Sequence, residues 1–304
     1  MTRPILTATI LACAVCTGFS IPSLVGSPID QARGLDPHGR IEIDNRKGRI
    51  QVRAWPRNEV HISGSLGSGV EKLVVEGNRD RLVVRVQYPR QIGAWRGDRT
   101  GPSDLVLQVP LRADLDIRAV SADVDVDGVA PDHLGIDTVS GKVVAAAAPR
   151  HADINSVGGD LRVTFNSADV KVQTVSGDVA LGGRLNGQVH AKTVSGKLSV
   201  DSTGERMRWL SIGTVSGDVS VRGALADEGR IQSKSVSGDI HLHLPRSLSA
   251  RVNGQSFSGA LRAPGATIRK EKFGPGSSFE QRYGTGSGDI RIETFSGDAE
   301  LTLE

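Results

Sequence analysis

Thr174-Val175-Ser176-Gly177-Asp178-Val179 is one copy of a phrase that returns down two thirds of the chain. Close copies turn on Ser140-Gly141-Lys142, Ser195-Gly196-Lys197, Ser216-Gly217-Asp218 and Ser237-Gly238-Asp239. Looser ones turn on Ser121-Ala122-Asp123, Gly158-Gly159-Asp160, Ser258-Gly259-Ala260, Ser287-Gly288-Asp289 and Ser296-Gly297-Asp298. The turn positions 121, 140, 158, 176, 195, 216, 237 and 258 are separated by 18 to 21 residues. A fixed period of that length marks stacked units that each contact only their neighbours.

The units are strands. Val170, Val172 and Thr174 alternate with polar residues before the turn, as do Val189, Ala191 and Thr193, then Leu210, Ile212 and Thr214. Period two is the strand period. The alternation resumes beyond the turn at Val179 and Leu181, Leu198 and Val200, Val219 and Val221, and Ile240, Leu242 and Leu244. From Thr174 to Val179 is an odd step, so the inward face changes parity across S-G-D and the chain bends there. Glycine at the bend implies either a backbone angle that side chains disfavour or close approach of the neighbouring chain. The expected fold is therefore all-β, a single-stranded parallel β-solenoid (β-helix) with coils roughly 4.8 Å apart. Gly141, Gly159, Gly177, Gly196, Gly217, Gly238, Gly259, Gly288 and Gly297 are its expected structural turns.

Two columns of the repeat carry polar groups. The residue two before the turn is a hydroxyl at Thr138, Ser156, Thr174, Thr193, Thr214, Ser235, Ser256, Thr285 and Thr294. A ladder of hydroxyls reads as bonding to the turn backbone, since a nucleophile is normally singular. The residue after the glycine runs Asp, Lys, Asp, Asp, Lys, Asp, Asp from 123 to 239. Lysines in that column and one carboxylate per coil argue against calcium and for a solvated, charge-balanced edge.

Outside the array, residues 1–27 read as a secretory signal, with Arg3 followed by the uncharged run Ile5 to Phe19 and then Ser20, Pro22 and Gly26. Cys13 and Cys16 both lie inside it, so a cleaved chain has no disulfide and no thiolate site. Alternatives are an uncleaved anchor or acylation of Cys13. Residues 28–39 read as a linker, 40–110 as a β-rich N-terminal cap or degenerate coils, and 111–304 as the solenoid, interrupted by an insertion after Pro264. The last two turn copies share the strand Ile290 to Thr294, which is expected to close the stack.

A net charge of +3 with no basic cluster gives no basis for nucleic-acid binding, and the mature chain contains no stretch long enough for an integral membrane span. No isolated carboxylate pair, phosphate-binding loop or metal motif stands out, so no catalytic, cofactor-binding or metal residues are assigned and no cofactor is expected. His241 and His243 share a strand face at a spacing that could serve zinc only with a third ligand. Trp95, among Arg96 and Arg99 in a long loop, and Trp209 are the candidate ligand contacts.

The segments D-L-V-L-Q-V-P and D-L-D-I-R-A-V-S-A-D-V-D-V-D-G between Asp104 and Gly128, with the T-V-S-G-D/K-V copies after them, resemble the bacterial putative-adhesin β-strand-repeat domain family of unknown function. That family is similar to the head domain of putative auto-transporter adhesins, and Gly48 to Trp55 looks like its opening. The resemblance implies a β-solenoid in a periplasmic, cell-surface or extracellular location. It carries over no functional residues. The expected function is an exported, non-enzymatic binding or scaffolding protein of the cell envelope, its partner an envelope glycan or another envelope protein. The alternatives are a polysaccharide-active β-helix enzyme and an envelope-stress sensor component.

Overall fold

In a computed structural model, residues 27–89, 100–272 and 274–304 are described, and they form strands and turns with no helix. The expected parallel solenoid is what forms. Val170 lies beside Val189, Val189 beside Leu210 and Leu210 beside Ile231, all in parallel register. Past the corner, Val179, Leu198, Val219 and Ile240 make a second parallel column. These eight side chains are at most 1% exposed. Each coil therefore has two strands, their inward residues meeting between the columns. Full burial of one Val, Leu or Ile contributes about 1.5 to 3 kcal/mol. No coil can achieve that alone, because each inward side chain is packed between those of the coils above and below.

The opposite corner, where one coil passes to the next, absorbs the variation in period. One residue, 168, faces two residues, 186–187, of the next coil, and residues 184–187 face 203–208 of the one after.

Both ends of the stack depart from sequence order. The coil 40–55 does not lie at the tip. On one side it pairs parallel with 81–85 and 103–110, and on the other with 114–127. Beyond the outer coil, Lys72–Gly77 runs antiparallel to Arg81–Gln87, and Glu59–Leu66 antiparallel to Ser103–Pro110. Ser27–Gly34 is then added antiparallel to Glu59–Leu66. This corrects the linker assigned to 28–39, whose first residues form an edge strand. Pro28 and Gly34 disguised it, and both are tolerated at an edge, where Ile29 alone of the eight is buried.

The C-terminal end mirrors this arrangement. Gly288–Thr294 sits between 230–235 and Ala250–Ser256, and Ala299–Leu303 sits between Ile240–Leu244 and Leu261–Arg262. The strand expected to close the stack is therefore an inner layer. Ser277–Tyr283 covers Ala250–Ser256 antiparallel, with the short Arg269–Lys270 beyond it.

Candidate functional site

The S-G-D corner is built backbone on backbone. A Cβ on Gly159 would stand 2.2 Å from the Gly141 carbonyl oxygen, and one on Gly177 2.3 Å from that of Gly159. The same contact recurs from Gly196 onto Gly177, Gly217 onto Gly196, Gly238 onto Gly217, Gly297 onto Gly238 and Gly259 onto Gly297. Both reasons for glycine operate at Gly141, Gly159, Gly177 and Gly196, whose φ values of +103° to +126° also disfavour a side chain. Gly288 is not in this column. It pairs with Ala250 at the opposite corner, where a Cβ would meet Leu225, so its Ser-Gly-Asp is a coincidence of sequence.

The buried hydroxyls follow the corner's shape. At the four left-handed corners Thr138, Ser156, Thr174 and Thr193 donate to the carbonyl two residues on, at 3.0 to 3.3 Å. At Ser256 and Thr294 the hydroxyl instead accepts from the N–H of Gly259 and Gly297. At Thr214 and Ser235 it is buried without a partner. Thr285 lies outside the column and bonds Ser249. The aspartates serve the backbone too: Asp123, Asp178 and Asp298 accept from the N–H of Lys142, Lys197 and Ala260 on the next coil, at 2.8 to 2.9 Å.

One residue of the phrase has no such employment. Just before the turn position stand Val120, Val139, Val157, Val175, Val194, Val215 and Val236, each 45 to 51% exposed and each following the buried hydroxyl or, at Val120, Ala119. In stacking order Phe295 and Phe257 follow, 55% and 49% exposed, with rings stacked at 4.6 Å. These nine side chains form one apolar ridge along the rod. At its other end the coil 40–55 puts Arg46 in the same position, over the Tyr88 ring at 5.8 Å. There Asn45, fully buried, replaces the hydroxyl: it donates to the Ser103 carbonyl and accepts from the Tyr88 hydroxyl, whose pKa burial pushes up. Sequence reading missed the ridge, although an apolar residue at an outward-parity position in every repeat was the available signal.

Beside the two phenylalanines an open cleft of about 560 Å³ runs to Glu271, Gly276 and Ser278, with the Lys234–Glu293 ion pair at 2.7 Å on its wall. A second cleft, about 700 Å³, follows the opposite corner and gathers Arg112, Asp132, Arg150, Arg184 and Glu205 from successive coils. Asp132 pairs with Arg150 and Glu205 with Arg184 across its floor.

Of the two candidate tryptophans, Trp209 lines neither cleft. Trp95 lies outside the described residues. Trp209 is on the outer face of the first column, 38% exposed, with the Arg230 guanidinium 5.5 Å over its ring and His190 at its edge. His243 bonds Thr302 at 2.7 Å and His241 lies 3.8 Å from Glu300. Among the described residues no cluster of three or more His, Cys, Asp or Glu side chains could hold a metal, and no helix is long and apolar enough to cross a membrane.

The sequence pattern of the family described as Toastrack DUF4097 matches residues 99–211 and 203–302. Similar solved structures are titled as putative adhesins. One from Parabacteroides distasonis shares 10% identity, covering 91% of this chain and 98% of its own, at a TM-score of 0.43. One from Parabacteroides merdae shares 8%, covering 91% and 97%, at 0.42, and one from Bacteroides fragilis 12%, covering 91% and 97%, at 0.40. No curated protein matches this chain.

Proposed function

The chain belongs to the Toastrack DUF4097 family, and from that premise we propose that it is an exported, non-enzymatic binding or scaffolding module of the cell envelope that works through its apolar ridge. The observation that carries this reading is the column from Val120 to Phe257. Soluble proteins rarely leave a contiguous apolar surface of this extent open, and those that do use it for contact. The other side chains of the corner phrase are taken up by backbone stacking or hydrogen bonding, whereas each valine, whose backbone joins the corner ladder, leaves about half of its apolar side chain open to solvent. Export is supported by the charge-free run Ile5 to Phe19 after Arg3.

Cell fractionation with capture from envelope extracts on the immobilised protein tests this. Retention of a defined envelope component by the native ridge, and its loss on Val157→Asp with Val236→Asp, is expected. Recovery from the cytoplasm, or turnover of a substrate with the ridge variants fully active, would overturn it.

A second reading is favoured by the opposite-corner cleft, where charged groups from successive coils converge as in a polysaccharide-active β-helix. It requires an acidic or neutral glycan to bind there. Loss of that binding in Arg150→Ala, with the ridge variants unaffected, would select it.

A further inference from the structure

We propose that the occupant of the ridge is a second copy of this chain, packed parallel and in register about a two-fold axis that runs along the rod. This rests on the reading of the ridge as the contact surface and names its partner. Three observations carry it.

The first is the repeat itself. The ridge presents one apolar side chain every 4.8 Å or so, the spacing of hydrogen-bonded strands. An extended peptide places same-face residues about 6.6 Å apart and a helix turn advances about 5.4 Å, so either falls out of step within a few coils. A second ridge stays in step throughout.

The second is extent. From Val120 to Phe257 there are eight coil steps, about 38 Å, and the corner from the residue before the hydroxyl to the one after the glycine is six residues, about 20 Å if extended. The product, up to about 750 Å², approaches the roughly 800 Å² per partner of a stable interface. The strands Glu59–Leu66 and Lys72–Gly77 cover both columns at one tip of the rod and Ser277–Tyr283 covers the first column at the other, whereas no strand among the described residues covers the ridge on its side.

The third is charge. In the parallel arrangement the residue before each hydroxyl faces the residue after the glycine on the same coil of the second copy. Arg118 then meets Asp123, Asp137 meets Lys142 and Lys234 meets Asp239, while Asn155 and Gln173 meet Asp160 and Asp178. Two coils oppose like charges, Lys192 with Lys197 and Glu293 with Asp298. The fully overlapped antiparallel arrangement is worse. It sets Asp160 on Asp239, Asp178 on Asp218, Asp137 on Glu293, and both Lys192 and Lys197 on themselves, with only Lys142 and Asp298 unlike. Such juxtapositions select between otherwise similar packings.

Analytical ultracentrifugation of the purified chain, with Cys13 and Cys16 changed to Ser, tests the state. A dimer is expected, with Val194→Asp weakening self-association by about 100-fold or more through two opposed carboxylates, while its thermal unfolding stays that of the native monomer. Single cysteines at Val139, Val175 or Val215 should each give a disulfide-linked dimer, because identical residues face one another across a parallel axis. Crosslinking at Val194 alone would mean an antiparallel pair and overturn the proposed geometry. A monomer at every concentration overturns the proposal. If that monomer still loses an envelope component on Val194→Asp, the ridge remains a contact surface for another partner; if it loses nothing, the functional reading falls as well.

Discussion

At the S-G-D corner coil after coil turns in the same number of residues, whereas the opposite corner takes one residue in one place and six in another. The first has no room. From Gly159 to Gly259 each glycine rests on the carbonyl of the glycine of the neighbouring coil, and an added atom there displaces a backbone rather than a side chain. The second meets backbone on backbone only locally, as where Gly187 rests on the Ala168 carbonyl, and otherwise opens into a cleft lined by side chains. Uniformity in a repeat protein thus comes from positions where the same main-chain contact recurs coil after coil, and variation collects where it does not.

The contrast can be broken most directly from underneath. Phe165 is fully buried at the brink of the variable corner, so Phe165→Ala should cost about 3 to 5 kcal/mol in denaturant unfolding; a cost below 1 would mean that the looseness of that corner extends into the core. Next, Gly177→Ala should cost about 3 kcal/mol, since both the contact with Gly159 and the positive φ oppose it. Gly204→Ala, on the opposite side at φ +76° with no atom near the new methyl, should cost only about 1. Equal losses at the two glycines would remove the distinction between the corners.

Within the rigid corner the hydroxyls allow a finer test. Thr174→Val loses the bond to the Ser176 carbonyl and should cost about 1 kcal/mol, while Thr214→Val, which discards an unpartnered buried hydroxyl, should be neutral or stabilising. The smallest effect is at the tip, where His61 holds Asp30 of the edge strand at 2.7 Å, and that bond raises the imidazole's pKa. A raised pKa means the protonated form is the better bound. The contribution is complete below pH 6.5 and disappears as the pH climbs through the folded value. Protection of 27–34 from proteolysis should fall over that range in the native chain and stay flat in Asp30→Asn.

The regular part of this molecule was legible because period, parity and glycine all report the same corner. Two features were not. Valine in a strand reads as core, so the outward Val175 was absorbed into the pattern of Val172 and Val179 although it lies at the wrong parity. The order of the end coils was hidden for a deeper reason: the columns are the same in every coil, so Gly297 fits on Gly238 as well as Gly259 would. Only the coordinates distinguish them. Gly288 shows the converse, a matching triplet that lies away from the S-G-D corner.

The placement of 40–55 and 288–303 inside the stack means that the rod cannot be completed in the order in which it is made. The earliest coil to emerge must wait for residues 81–127 before both its faces are covered, and the gap between 230–244 and 250–262 is filled by nearly the last residues of the chain. Loss of residues 288–304 would therefore remove a storey from within the building rather than its roof.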